Sequence, residues 1–270
     1  MVAPALVVIA GVAFYPVGYS IYLSLFNMHL QFPQLTHFLE LRNYIHLFSG
    51  SEFWLALRNT IFCTAVSILL ETALGLCFAL LMHKRSPIQG VLRAAILVPW
   101  AIPAVVSSQA WRLMFNDSEG VINDLLTRLH LLPHYIAWLG QPGTAMVAII
   151  TTDVWKTTPF MALLLLAGLQ MIPEDLNEAA AVEGASPWKR FWRITFPLLQ
   201  PTLVVALIFR TLDAVRVFDV INIMTGGGPA NQTESLSIFA YKYLFNQLNM
   251  GFGSAIAVLT FLLVFLISLI

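Results

Sequence analysis

The stretch EAAAVEGASPWKRFWRITFPLLQP, residues 178–201, carries acids, bases, a glycine and three prolines between two strongly apolar segments. A run of good helix formers precedes Gly184, which supplies the left-handed backbone that ends many helices. Ser186 and Pro187 then suit the N-cap and the first position of a second helix. The stretch therefore predicts a short helix, a sharp glycine turn and a second short helix.

The second helix of this stretch is amphipathic. Trp188, Phe191 and Trp192 recur at the i, i+3, i+4 spacing of one helix face, and basic residues lie beside them. Pro197 and Pro201 are expected to interrupt the helix where the chain re-enters apolar sequence. Two interpretations follow: a rigid element shaped to bind a partner, or a charged loop that only caps two helix ends.

The composition of the whole chain indicates a membrane protein. Of its 270 residues, 59% are hydrophobic and 10% are charged, and the mean hydropathy is +0.79. Soluble domains carry about 25% charged residues, so this chain lacks the material for a fully hydrated surface. The net formal charge is zero, which argues against a nucleic-acid-binding face.

Apolar windows long enough to cross the hydrocarbon layer predict an all-α, polytopic fold with six spans. No internal repeat or soluble domain is visible, so we expect one transmembrane domain over residues 1–270 with a loop at 172–197. The predicted spans are 2–26, 59–82, 91–115, 144–171, 198–224 and 251–270.

The distribution of basic residues predicts the orientation, since cytoplasmic loops are enriched in Lys and Arg. The loops 83–90 and 172–197 carry or adjoin Lys84, Arg85, Arg93, Lys189, Arg190 and Arg193. The three longer loops carry or adjoin Arg42, Arg58, Arg112, Arg128 and Lys242 over much more sequence. We therefore expect the 172–197 loop and both termini to be cytoplasmic.

Pro99 and Pro103 lie inside the third predicted span, and each removes a backbone donor. The span should be kinked there. A purely structural kink and a break beside a cavity are both open interpretations.

The 178–201 stretch resembles the "EAA" loop of permeases in binding-protein-dependent ABC importers. The resemblance rests on Glu-Ala-Ala at 178–180, Gly-Ala at 184–185, and Ile194, Pro197 and Pro201. Glu183 stands where aspartate is more usual, and the charge is retained. By this resemblance the coupling-loop residues are Glu178, Ala179, Ala180, Glu183, Gly184, Ala185, Ser186, Pro187, Arg190, Phe191 and Pro197.

The resemblance extends along most of the chain. LVPWAIPAVVSSQAWRLMF (97–115), FDVINIMTGGGPANQTESL (218–236) and MGFGSAIAV (250–258) are similar to spans of carbohydrate permeases. The Thr-Gly-Gly-Gly-Pro form is similar to the F-type half of a sugar-permease pair, as in maltose-type importers. A disaccharide substrate is implied. Trehalose is our expectation, from the chain as a whole and not from a diagnostic residue.

The family resemblance also implies the partners and the location. These are a second homologous permease, two ATPase subunits that bind the coupling loop, an extracytoplasmic sugar-binding (lipo)protein and the lipids of a bacterial plasma (inner) membrane. Closure of the ATPases would swing the permease pair from inward- to outward-facing. ATP and Mg would bind to the ATPase chains.

The sequence offers no site for bond chemistry. No stretch reads G-x-x-x-x-G-K-[ST], so a phosphate-binding loop is not expected, and the glycines at 226–228 are read as a tight turn. His130 and His134 are separated by Pro133 and lack an accompanying glutamate, so no metal site is expected. We predict a chain that is not an enzyme and binds no cofactor of its own.

Ionisable residues inside spans are costly and are therefore functional suspects. The fifth span carries charges of alternating sign three residues apart, while Glu71 stands alone in the second. Charged or amide groups and aromatic rings together suit a sugar. The predicted solute path is Asp153, Trp155, Lys156, Asp213, Phe218 and Asn222, and the predicted pairing residues are Arg210, Arg216 and Asp219.

Alternatives stay open at this level. The intramembrane charges could instead form a purely structural ion-pair network, or a proton relay in a stand-alone secondary transporter. An intramembrane enzyme would need a nucleophile or metal constellation that the sequence does not offer. Small residues at 251, 253, 255 and 257 suit close helix packing, either within the chain or against a second permease.

Overall fold

The computed structural model describes Val8, residues 10–84 and residues 87–269. Its helices account for nearly all regular structure, in agreement with the all-α prediction. The described residues fall into two compact units. One comprises the chain up to Phe62 and from Val215 onward, and the other comprises Cys63–Ala214. The sequence-based prediction of one domain over the whole chain stays a prediction.

The first unit is built from elements at both ends of the chain. A π-helical turn, Ala10–Phe14, leads into the first α-helix. Its helices are α1 (Tyr15–Ser24), α2 (Arg42–Ser49), the start of α3 (Ser51–His83), α11 (Asp219–Met224), α12 (Leu236–Tyr241) and α13 (Met250–Ser268), and a π turn, Lys242–Asn246, follows α12.

A two-stranded antiparallel ribbon, β1 (Phe26–Asn27) and β2 (His37–Phe38), follows α1, with a short 3₁₀ turn at Pro33–Leu35 between the strands. Gly251 lies so close to β1 that an added Cβ would stand 2.0 Å from the carbonyl oxygen of Phe26. The core of this unit consists of Leu47, Phe53, Ala56, Leu236, Phe239, Ala240, Phe252 and Ile256.

The second unit contains the remainder of α3 and the helices in the middle of the chain. These are α4 (Gln89–Ala101), α5 (Ala104–Met114), α6 (Val121–Arg128), α7 (Pro142–Gln170), α8 (Glu174–Val182), α9 (Pro187–Arg190) and α10 (Phe196–Ala214), with a π turn, Phe191–Thr195, between the last two. Its core lies where α3, α7 and α10 meet, and consists of Ala79, Met82, Met161, Ala162, Leu165, Leu166, Leu169, Leu199 and Ala206.

Close approach of α7 and α10 depends on Gly168. A Cβ at this position would stand 2.7 Å from the Thr202 hydroxyl oxygen and 2.8 Å from a Leu199 methyl group. Small residues let helices pack closely in a membrane, where lipid competes equally well for apolar side chains.

Four described helices are long and apolar enough to cross a membrane: Ser51–His83, Pro142–Gln170, Pro187–Ala214 and Met250–Ser268. The bent pair α4 and α5 gives a fifth if the two helices together form one span. The first predicted span lies partly outside the described residues. Residues 10–24 of it are helical. The count of six spans stays a prediction.

The third predicted span is bent, as its prolines predict, and the break lies at Pro103 and not at Pro99. Helices α4 and α5 meet at 93°. Pro99 lies inside α4, and the break falls at Ile102 and Pro103, both extended. A residue before proline is pushed away from the helical region, so Ile102 leaves the helix.

The fifth predicted span also differs from the structure at both ends. The sequence predicts it over 198–224, but the helix runs continuously over Pro187–Ala214. Pro197 and Pro201 do not interrupt this helix. The π turn changes the hydrogen-bond register immediately before Pro197, which has no N–H to donate.

The same helix ends ten residues before the predicted boundary. The chain turns at residues 215–216, and the carbonyl of Val217 accepts a hydrogen bond from the Ser235 hydroxyl at 3.3 Å instead of one from the helix. Arg216 and Asp219 therefore do not share a helix flank with Arg210 and Asp213, which corrects the predicted row of charges at three-residue spacing.

Candidate functional site

The glycine turn has the geometry that the sequence predicts. Helix α8 begins after Pro173 with two acids in its first turn, where they complement the helix dipole. Gly184 has φ of +82°, the left-handed conformation in which a side chain is strained. Ser186 caps α9 by accepting a hydrogen bond from the Lys189 N–H at 3.4 Å, and Pro187 opens that helix.

The second helix of the pair is not a separate short element. It continues through the π turn into α10, so one helix of 28 residues starts at the glycine turn and enters the apolar region. We call the segment 172–197 the coupling loop, after the predicted role of its residues.

Most predicted coupling-loop side chains are accessible to a partner. Ala180, Ala185, Arg190 and Phe191 are half-buried, and the other seven predicted residues are exposed. The Arg190 guanidinium donates to the Asn177 carbonyl at 3.2 Å and so connects α8 to α9. Between this loop and the ends of α3 and α7 lies a cavity of about 330 Å³, lined in part by His83, Glu174 and Glu178.

Sequence reasoning missed Val182. Its side chain is 89% exposed at the end of α8, directly before the glycine turn. An apolar residue so close to a helix end and a turn is the signal that could have identified it. Together with Trp188, 72% exposed, it gives the coupling loop an apolar surface.

The second candidate site is a buried charge cluster centred on Arg210. Its guanidinium binds both carboxylate oxygens of Glu71, one of them at 2.8 Å, and donates to Asp153 at 2.6 Å and to Asp213 at 3.2 Å. The hydroxyl of Thr157 also donates to Glu71 at 2.7 Å. The cluster therefore joins three helices, α3, α7 and α10.

Three of the four charged groups in this cluster are almost inaccessible. Glu71, Arg210 and Asp153 are 0%, 1% and 5% exposed, whereas the Asp213 side chain is 67% exposed. A guanidinium can satisfy several carboxylates at once because its five donors lie in a planar fork. Glu71 has no charged neighbour in its own predicted span, but in the structure Arg210 binds both of its carboxylate oxygens and Thr157 also donates to it.

Lys156 serves the break between α4 and α5. Its ammonium donates to the carbonyl oxygen of Ile102 at 2.6 Å. That carbonyl lies where the helical hydrogen-bond ladder stops, and such groups inside a membrane must find another partner. The sequence had placed Lys156 on the solute path without detecting this contact.

The remaining predicted path residues are accessible but divided between the two units. Trp155 is 37% exposed and lies edge-on to Trp111, with ring centroids 5.6 Å apart. Phe218 is half-buried against Tyr241, and Asn222 is exposed on α11 in the other unit. Arg216 and Asp219, predicted to pair, are exposed.

Three similar proteins align with nearly the whole chain. A trehalose/maltose transport system permease protein MalF of Thermococcus litoralis is 49% identical over 98% of this chain and 88% of the relative. A trehalose transport system permease protein SugA of Mycobacterium tuberculosis is 44% identical over 97% and 82%, respectively. A sulfoquinovosyl glycerol permease protein SmoG of Agrobacterium fabrum is 39% identical over 97% and 85%.

Solved structures show the same fold at low sequence identity. A bacterial ABC transporter involved in alginate import matches with a TM-score of 0.84 and 22% identity, over 98% of this chain and 90% of that one. The family model for the inner membrane component of binding-protein-dependent transport systems matches residues 71–270. This chain therefore belongs to the family of binding-protein-dependent transport system inner membrane components, the permeases of ABC importers.

Proposed function

We propose that this permease carries a disaccharide of the trehalose or maltose type across the inner membrane, driven by ATPase subunits that bind its coupling loop. The relatives named for trehalose and maltose transport are the most similar of those compared above, at 44% and 49% identity. The absence of a phosphate-binding motif in the sequence is consistent with ATP and Mg on separate chains.

The observation that carries this proposal is the continuous helix Pro187–Ala214. At about 1.5 Å per residue its 28 residues extend about 42 Å. One end adjoins Gly184, and the other holds Arg210 in the charge cluster. A displacement of the coupling loop is therefore transmitted along one element to the helices that Arg210 joins.

The polar and aromatic groups that are exposed or half-buried are the best candidates to contact the sugar. We assign Asp213, Trp155, Phe218 and Asn222 to the solute path. A carboxylate and an amide suit hydroxyl groups, and aromatic rings suit the apolar faces of a sugar. Asp153 and Lys156 contribute indirectly. Asp153 binds Arg210, and Lys156 binds the Ile102 carbonyl.

The partners follow from the family and stay part of the proposal. They are a second, homologous permease, two ATPase subunits and an extracytoplasmic sugar-binding protein. One solved relative of the same fold is a complex with a substrate-bound periplasmic protein. We infer that the coupling loop and both termini are cytoplasmic, because basic residues concentrate in the loops 83–90 and 172–197.

The test is sugar-stimulated ATP hydrolysis by the reconstituted importer, measured across a panel of disaccharides. Gly184→Pro should abolish the stimulation, because proline requires φ near −65° where the turn needs +82°. Membrane insertion and assembly of the two permeases serve as controls and should be unchanged. Full stimulation in the variant, or sugar uptake by vesicles that contain this chain alone, would refute the proposal.

A further inference from the structure

An open pocket lies at the start of α3, in the first unit. Its volume is about 550 Å³, and its walls include Glu52, Trp54, Arg58 and Asn231. The first three belong to the opening turns of α3, and Asn231 belongs to the loop that follows α11. Neither the predicted solute path nor the coupling loop uses these residues.

The walls of this pocket are held rigidly. The Trp54 indole N–H donates to the Phe48 carbonyl at 2.9 Å, and its ring contacts Phe48 and Phe53. In another part of the wall, Asn231 accepts a hydrogen bond from Lys242 at 2.9 Å, and Lys242 also binds Glu234 at 3.1 Å. A preformed surface loses little conformational freedom when a ligand binds.

Two side chains of the pocket are left available for a partner. The Trp54 ring is 53% exposed although its orientation is fixed. Arg58 is exposed, and it makes no side-chain hydrogen bond or ion pair with any residue in the described ranges 10–84 and 87–269. Trp and Arg are the residue types most enriched among the few that dominate binding energy at protein interfaces.

The position of the pocket indicates the side of the membrane. It lies at the Ser51 end of the 33-residue helix α3, and the other end, His83, lines the cavity beside the coupling loop. A spanning helix places its two ends on opposite sides of the membrane. The pocket therefore opens on the side opposite the proposed ATPase contacts.

We propose that this pocket docks an acidic side chain from the surface of the extracytoplasmic binding protein, with Arg58 as its ion-pair partner and Trp54 as the apolar anchor beside it. The inference rests on the proposed function, because it needs an importer that works with such a protein. A carboxylate complements the guanidinium of Arg58, which has no ion-pair partner among the described residues although Glu52 also lines the pocket. A planar guanidinium binds a carboxylate in bidentate fashion.

The test uses the assembled importer in nanodiscs and the purified binding protein that restores solute uptake to it. Trp54→Ala and Arg58→Glu should each weaken docking of that protein about tenfold or more. The Arg58→Glu effect should shrink as ionic strength rises, because salt screens exposed charges. Arg42→Glu, the same reversal at an exposed arginine that does not line the pocket, should leave the affinity unchanged.

Rescue identifies the partner group. A photo-crosslinker at Ser51 should capture the binding protein next to an acidic residue, and reversal of that residue to lysine should restore docking to Arg58→Glu. Unchanged affinity for the binding protein in both pocket variants would overturn the inference. Normal docking combined with lower uptake at saturating binding protein would also overturn it, because that result would assign the pocket to the sugar. Absence of uptake by the unmodified importer with any binding protein would instead refute the proposed function.

Discussion

Arg210 is the cation at the centre of the buried charge cluster in the second unit. Two buried carboxylates share its guanidinium, and each lies on a different helix. Desolvation makes such a cluster costly to build, and removing one partner is costlier still, because it leaves a buried charge uncompensated. The cluster therefore constrains which residues can change independently.

Arg210→Met should destabilise the protein by about 3–5 kcal/mol, because it leaves Glu71 and Asp153 without their cation. Thermal unfolding in detergent measures this loss. Arg128→Met is the matched control. Its side chain is 77% exposed in an i,i+4 pair with Asp124, so its loss should cost less than about 1 kcal/mol. Adding Glu71→Gln to Arg210→Met should recover part of the stability, and failure to do so would contradict the charge argument.

Glu234 gives a pH dependence outside the spans. Burial raises the pKa of this carboxyl above its ordinary value, although Lys242 opposes the shift. A raised pKa means that the folded chain holds the proton more tightly than the unfolded chain. The contribution of Glu234 to stability therefore falls as pH rises from the ordinary glutamate pKa, about 4.3, through the raised value.

Glu234→Gln should remove this contribution to the pH dependence. The thermal stability of the wild type minus that of the variant should fall as pH rises across that range, and it should be constant above the range. Glu119→Gln, an exposed loop glutamate, supplies the reference slope. A difference that is the same at every pH would show that Glu234 titrates equally in both states.

At the scale of elements, the helix pair around Gly184 combines a rigid turn with an exposed apolar surface. The turn is specified locally by Gly184, Ser186 and Pro187. The surface comes from Val182 and Trp188, which are 89% and 72% exposed, and the Trp188 ring lies edge-on to Trp192. Exposed apolar groups rimmed by charges mark interaction sites on proteins.

Val182→Asp should weaken copurification of the ATPase subunits about tenfold or more, because it places a charge at the centre of this surface. Stability of the permease alone should change by less than about 0.5 kcal/mol, since the side chain is 89% exposed. Leu131→Asp, at a 67% exposed residue between α6 and α7, is the control and should leave ATPase binding unchanged. Equal ATPase binding by Val182→Asp and wild type would remove this surface from the contact.

At the scale of the whole molecule, transport requires that the coupling loop and the solute path respond together. The helix Pro187–Ala214 connects the coupling loop to the cluster, and the exposed Asp213 extends the cluster to an accessible surface. A ligand that binds one arrangement of such a cluster better than another shifts the balance between conformations.

Asp213→Asn and Asn222→Ala should each lower the apparent affinity for sugar uptake about tenfold, because the first removes a charged acceptor and the second removes an amide from the proposed path. Assembly of the importer, measured by size-exclusion chromatography, should be normal. Asp124→Asn is a charge-matched control at a residue in α6 whose side chain is 45% exposed. Wild-type uptake in both variants would exclude these residues from the path.

The sequence by itself determined the features that depend on neighbouring residues. Long apolar windows specified helices and a membrane location, because a segment in the hydrocarbon layer must satisfy its backbone hydrogen bonds internally, as a helix does. Glycine at 184, with its cap and proline, specified the turn, because φ of +82° is a property of the local backbone. The coupling-loop geometry was therefore predictable, although the exposure of Val182 was overlooked.

Only the tertiary structure decided which charges meet. Glu71 and Arg210 are 139 residues apart, and Asp153 and Arg210 are 57 apart. No local spacing connects them, so the sequence offered only the row of alternating charges on one helix. That row fails because the helix ends at Ala214. Pairing across helices depends on how closely α3, α7 and α10 pack, and packing distances are set by contacts between distant segments.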